Sequence, residues 1–222
     1  MTACIKVQTD DGRLVPLSPE EFRTQFGVTY TRQLVYAPGF KPTPPGEPRP
    51  RQMPSDERRP VIQRALARTL VRGESDKFDR LSLCWLFADD IRAAHIADVY
   101  LAKISDTIGH GLFAGADMEP GTFIAEYAGL LRKDRYDEDR DNAYLFSYWF
   151  PLGCIDASEQ GNETRFINHS VQHANCHPVH VAVDGVMHVG FATMRDIARG
   201  EQLLFNYGEG YWQLRGYAPI DL

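Results

Sequence analysis

Two textures divide the chain. From about residue 99 onward, short runs of β-branched and aromatic residues alternate with Gly-containing turns, at 99–104, 122–131, 144–150, 179–183 and 186–193. Runs of this length bounded by turn residues predict strands. Asp184-Gly185, between the last two, predicts a two-residue hairpin turn. Earlier in the chain the period is helical. Over 61–72, Val61, Ala65, Leu66, Thr69 and Leu70 share a face that Arg64, Arg68 and Arg72 mostly avoid, and Gly73 supplies a stop. Residues 78–87 and 91–99 extend this reading into one or two more helices, with Leu81, Leu83, Trp85 and Leu86 as packing residues. Such a helical module offers a homodimer interface, although packing onto the rest of the core is the simpler reading. Ser18-Pro19-Glu20-Glu21-Phe22 predicts a short Ser-capped helix. Eight prolines between Pro38 and Pro60 disallow helix and central strand, so this stretch is expected to be a linker or extended arm.

Composition narrows the class. At 222 residues, 43% hydrophobic and 24% charged, the chain reads as a soluble globular protein with one full core or a core plus a small module. No run of 18 apolar residues predicts a membrane span, and the first residues lack the layout of a secretory signal. Cys4, Cys84, Cys154 and Cys176 are far apart and form no C-x-x-C, so reduced thiols are expected rather than a zinc framework. A cytoplasmic protein is the expectation from these features. Charge is uneven: residues 1–103 hold 16 Lys and Arg against 13 Asp and Glu, and residues 104–222 hold 8 against 17, a net of −9. Such a field repels nucleic acid and attracts basic proteins, though a solvated acidic face without a partner fits it equally.

Three ordered segments carry candidate chemistry. Ile108-Gly109-His110-Gly111-Leu112-Phe113-Ala114 places two glycines around one residue, and Pro120 to Gly129 follows it with Glu126-Tyr127-Ala128-Gly129. Alone, a G-x-G is mostly a turn. Next come Arg165-Phe166-Ile167-Asn168-His169-Ser170 and Ala174-Asn175-Cys176. Their polar side chains among apolar ones need assigned partners if buried. The last is Gly200-Glu201-Gln202-Leu203-Leu204-Phe205-Asn206-Tyr207-Gly208. Together the three resemble the signature of SET-domain protein lysine methyltransferases, with Asn206 and Gln202 where the family usually has Asp and Glu. No strand–glycine-loop–helix unit of the dinucleotide-binding kind appears.

The resemblance implies a mainly β SET fold of small sheets with a C-terminal pseudoknot, preceded here by a small α-helical N-terminal module. The expected units are an N-terminal segment over 1–60 with its Pro-rich linker at 38–60, a helical module over 61–98, a SET domain over 99–212 and a tail over 213–222. It also implies S-adenosylmethionine as methyl donor, held by Gly109, His110, Gly111, Leu112, Arg165, Asn168, His169, Tyr207 and Trp212. Tyr207 falls at the catalytic tyrosine, and Tyr127, Tyr144 and Phe205 would wall the lysine channel, with Tyr148 as a competitor for the role of Tyr144. Phe205 sits where a Tyr would restrict product, so di- or trimethylation is expected. The implied substrate is a basic protein such as a histone or histone-like tail, with no direct nucleic-acid or membrane partner. Many family members bind zinc through a C-terminal cysteine run and a Cys after Asn-His-Ser. Val171 stands there and no Cys follows Cys176, so no zinc is expected and the chain is similar to the compact bacterial, chlamydial-type members, which implies a host cell and its nucleus as the location if it is a bacterial effector. Tyr211, Trp212 and Tyr217 are then left to close over the donor or the channel.

Two other readings remain open from the residues. A SET-fold binding module without catalysis is the first. The second is a metal-dependent enzyme using His169, His173 and His177, spaced for one helix face, although Ser170, Asn175 and Pro178 argue against a helix there.

Overall fold

The computed structural model describes residues 5–40, 86–135, 138–148, 153–216 and 220–222. The helical readings of 61–72 and 78–85 and the proline segment beyond residue 40 lie outside these residues. Within them the chain is built from fifteen short strands, three short helices and one 3-10 turn. A first sheet runs in the order β2-β1-β5-β6, from Leu14–Leu17 (β2), Ile5–Gln8 (β1), Val99–Ser105 (β5) and Gly109–Ala114 (β6). Val35–Tyr36 (β4), Leu130–Arg132 (β8), Gly153–Asp156 (β10) and Leu145–Tyr148 (β9) form a second, in the order β4-β8-β10-β9. The third holds Cys176–Val183 (β13), Val186–Thr193 (β14) and Phe123–Glu126 (β7). Two two-strand pairings complete the fold: Thr29–Tyr30 (β3) with Gln160–Gly161 (β11), and Asn168–His169 (β12) with Leu204–Phe205 (β15).

Local chemistry accounts for several elements. Asp184 and Gly185 both take positive φ (49° and 80°), the geometry a two-residue hairpin demands between β13 and β14. Helix α1 (Pro19–Phe26) starts on a complete capping box: Ser18 accepts from the Glu21 amide, and the Glu21 carboxylate accepts from the Ser18 amide. It stops at Gly27 in the left-handed region. The 122–131 run divides into β7 and β8, and at Gly129, between them, the backbone lies so close to the Asp156 carbonyl that an added Cβ would sit 2.6 Å from it.

The expectation of helix over 91–99 is corrected. Helix α2 spans only Ala88–Arg92, and Ala94 at φ 48° turns the chain out of helix before β5 begins at Val99. No N-terminal helical module is seen among the described residues. Instead, residues 5–36 contribute strands to three of the five strand groupings.

One core runs between the sheets through Ile5, Phe22, Leu101, Leu112, Ile124, Leu131, Ile155, Val189 and Phe191, all fully or almost fully buried. Side chains of this kind each stabilise the fold by about 1.5–3 kcal/mol. A smaller core packs Leu86, Phe87 and Ile91 of the α2 region on Val179, Val181 and Val183, the buried positions of alternating β13.

Candidate active site

The site is organised by the parallel pairing of β12 with β15, which sets Asn168 beside Leu204 and His169 beside Phe205. Residues 170–203 leave and return between them. Asn175 pins the crossing: its Oδ1 accepts from the Leu204 amide (2.9 Å), its Nδ2 donates to the Gln202 carbonyl (2.8 Å) and to Glu201 (3.0 Å). Asn175 is buried, so these bonds also satisfy an amide that would otherwise be costly.

On one side of the crossing lies a cavity of about 510 Å³ with an aromatic wall of Tyr127, Phe146, Phe205, Tyr207 and Tyr211. Phe205 and Tyr211 each place their rings 4.6 Å from that of Tyr207. Tyr127 packs 5.3 Å from Phe146. Both phenol protons are committed. The Tyr207 hydroxyl donates to the Ile167 carbonyl and the Tyr127 hydroxyl to the Tyr144 carbonyl, each at 2.8 Å. Burial first, and neighbouring phenols second, hold the Tyr207 hydroxyl well above its ordinary pKa. Burial does the same for Tyr127, against a smaller opposing effect of Arg165. Both rings therefore remain neutral phenols at physiological pH.

Tyr144 does not line this cavity. Its ring lies under the Arg165 guanidinium (3.7 Å to the centroid), and Arg165 Nε donates to the Ala157 carbonyl at 2.8 Å. Tyr148 is a core residue whose hydroxyl accepts from the Met187 amide. Phe146, between them, takes the wall position. Arg165 faces the cavity rather than the Gly109–Gly111 loop. The floor is tied by buried Arg132, which chelates Asp139 (2.6 and 2.8 Å) and also bonds Asp156 (2.7 Å). These bonds hold the Asp139 carboxyl below its usual range. No sequence pattern marks this cluster, because a run as charged as 132–141 reads as solvated surface.

Across the crossing, the Asn168 Nδ2 donates to the His110 carbonyl at 3.1 Å, joining the glycine loop to β12. Gly109 takes φ +81°, and Gly111 is enclosed, its absent Cβ replaced by Ile104 and Gln202. Leu112 is fully buried in the sheet. His169 is 4% exposed and accepts the Tyr207 amide on Nδ1 (3.0 Å), which assigns its proton to Nε2. Burial lowers its pKa, favouring this neutral form. The Nε2 group is buried without a partner, and so is the indole nitrogen of Trp212, whose ring stands 5.0 Å from that of His169. Two orphaned buried donors on adjacent rings are unfilled hydrogen-bonding capacity at one place. Tyr217 lies outside the described residues. His169 on β12 and His177 on β13 are strand residues, so no helix face gathers the histidines, and no cluster of three metal-ligating side chains occurs among the described residues.

Residues 109–208 match the SET domain family. Over 119 residues the chain is 35% identical to the histone-lysine N-methyltransferase EZH2 of Chaetomium thermophilum, covering 48% of this chain and 8% of that protein. Over 121 residues it is 38% identical to human histone-lysine N-methyltransferase EHMT1, covering 49% and 9%. A solved structure of a humanized mutant of the Chaetomium thermophilum Polycomb Repressive Complex 2 bound to the inhibitor GSK126 aligns at TM-score 0.50 and 26% identity. That alignment covers 72% of this chain and 20% of the other. The chain therefore carries a SET domain, and its homologues are SET-domain histone-lysine methyltransferases. The matched region spans less than a tenth of the length of either relative.

Proposed function

We propose that the protein is an S-adenosylmethionine-dependent protein-lysine N-methyltransferase acting on a basic protein such as a histone tail. One observation carries the reading: Tyr207 belongs to both sides of the β12–β15 crossing. Its amide is bound to His169, next in β12 to the Asn168 that bonds His110, while its ring walls the aromatic cavity. A molecule on either side is thereby referred to the same residue.

The side chains present fit a donor of this kind. Gly109, with open space where a Cβ would stand, would let it approach the backbone beside His110, Asn168 and the orphaned nitrogens of His169 and Trp212 would take its polar groups, and when bound it would supply an electrophilic methyl group. A lysine entering the cavity starts as an ammonium with a pKa of about 10.4 and must shed its proton. An apolar aromatic lining lowers that value by desolvation. Neither Tyr127 nor Tyr207 acts as the base, because both pKa values are raised and both protons are held by carbonyls. Their oxygens instead orient the amine, and the aromatic rings hold its stem by cation–π attraction. Phe205 leaves space that a tyrosine hydroxyl would fill, which favours di- and trimethyl products. The acidic balance of residues 104–222 suits a basic substrate.

Labelled S-adenosylmethionine offered with histones and other basic proteins tests this. Wild type should transfer label, and Tyr207→Phe should reduce the rate by about 10²-fold or more through lost orientation. Equal labelling by both proteins would remove Tyr207 from its role. Phe205→Tyr should shift the product towards monomethyl-lysine, and a wild-type enzyme that stops at monomethyl after exhaustive reaction would overturn the multiple-methylation reading.

A further inference from the structure

The glycine-flanked start of β6 has a mechanical problem. Gly109 and Gly111 leave His110 as the one side chain between them, and glycine-rich backbone loses the most conformational freedom when it is ordered. Yet the His110 carbonyl must stay in place to receive Asn168. Pairing with β5 holds the backbone, with His110 opposite Lys103 and Gly111 opposite Ala102, and ring packing holds the side chain. The His110 ring is flanked by Phe26, edge-on at 5.1 Å and 89°, and by Phe166 at 6.3 Å, while Phe26 and Phe166 pack on each other at 5.1 Å.

Phe26 is the last residue of α1 and lies outside the matched stretch 109–208. Its own position is fixed from several directions. Phe22, one turn earlier, is fully buried and packs 4.9 Å from Phe26 and 6.2 Å edge-on to Phe166. After the Gly27 stop, β3 pairs in parallel with β11, and the Tyr30 hydroxyl donates to the buried Glu163 carboxylate at 3.1 Å. The anchor of Phe26 is therefore the 3-10 turn Glu163–Phe166, which leads directly into Asn168 and His169.

We infer that Phe26 is a positioning residue for the donor site, bracing the Gly109–Gly111 start of β6 through His110 in addition to its pairing with β5, so that residues 5–36 are part of the working methyltransferase. The inference rests on the donor reading of that loop, but the brace itself can be measured without a donor. In ligand-free protein, Phe26→Ala should speed amide exchange across residues 109–112. In calorimetry it should weaken S-adenosylmethionine binding about 2- to 12-fold, the range expected for loss of an aromatic pair. Phe26→Tyr should restore both. His110→Ala should weaken binding similarly, and the double variant should be no weaker than either single one, since a brace and its contact form one unit.

Wild-type exchange and affinity in a folded Phe26→Ala, or additive losses in the double variant, would overturn the inference. If Phe26→Ala does not fold, Phe26→Leu keeps most of the packing volume without the ring and is read by the same criteria. A wild-type protein that binds no S-adenosylmethionine would sink the methyltransferase reading. The exchange data would then still decide the brace, with unchanged exchange at 109–112 counting against it.

Discussion

The two flanks of the matched region are attached by different forces. The N-terminal flank, residues 5–36, is bound by strand pairing and by buried rings: β1 joins β2 and β5, β3 joins β11, β4 joins β8, and Phe22 is wholly enclosed. The C-terminal flank is helix α3 (Glu209–Arg215) with residues 220–222; no strand pairing holds it, and its ties are the rings of Tyr211 and Trp212 on Tyr207 and His169 together with polar contacts. Tyr211 donates to the Ala143 carbonyl at 3.3 Å, Arg140 to the Leu214 carbonyl at 3.2 Å, and Arg215 to the Asn142 carbonyl. Leu214 and Ile220 stay exposed, and α3 has no side-chain cap at its start. Helices held this way open locally at far lower free energy than sheet-bonded core. The difference assigns a rigid wall to the Gly109–Gly111 side and a wall that can yield to the aromatic cavity, where the proposed substrate would enter and leave.

The sharpest way to break this contrast is at Phe22. Phe22→Ala removes a fully buried ring shared by α1, β3 and the 3-10 turn, and should destabilise the whole domain by about 3–5 kcal/mol in denaturant titration. A loss under about 1 kcal/mol would mean that the N-terminal flank rests on the domain without sharing its core.

Tyr30 gives a subtler test, because it carries a pH signature. Burial raises the Glu163 pKa, with the Tyr30 hydroxyl bond acting in the opposite direction. A carboxyl raised in the folded state contributes stability that is present below its ordinary range and lost as pH climbs through the folded value. Tyr30→Phe strips the ionised carboxylate of its hydroxyl donor, costing about 1–3 kcal/mol above the folded Glu163 pKa and much less below it, where Glu163 is protonated. Urea midpoints of wild type and variant from pH 4 to 8 should therefore diverge as pH rises. A gap that stays constant would detach Tyr30 from Glu163.

What was legible in the sequence divides along the same line of local against distant. The Ser18 capping box and the Asp184-Gly185 turn are short-range chemistry, and both elements stand where the residues predict. The pairing of β1 with β5 links Val7 to Leu101, and no local pattern encodes a partner so distant. The motifs located the site segments but left the facing of individual side chains open. In β9, Phe146 and Tyr148 share one strand face by period, yet Phe146 reaches the cavity and Tyr148 the core, while Tyr144 precedes the strand and serves Arg165. The helix read over 91–99 ended early because a repeat of Ala, Ile and Val looks helical until a left-handed residue, here Ala94, interrupts it.

Asp221 offers the smallest effect and the finest distinction between the flanks. Its carboxylate accepts from the Ser170 hydroxyl at 2.5 Å and the Val171 amide at 2.9 Å, fastening the end of the described chain to the turn directly after His169. The Ser170 bond, then the Val171 bond and the nearby His169 and His173, hold its pKa below the usual aspartate value. A carboxyl lowered in the folded state stabilises above its ordinary range and stops doing so as pH falls through the folded value. Asp221 is exposed, so Asp221→Asn should leave the unfolding free energy unchanged within error, unlike Phe22→Ala. It should still act locally: in wild type the Val171 amide resonance should titrate with a midpoint below the ordinary aspartate value, and in Asp221→Asn that titration should vanish. Its persistence in the variant would show that the tail is held by something other than this carboxylate, and the polar account of the C-terminal flank would lose its clearest contact.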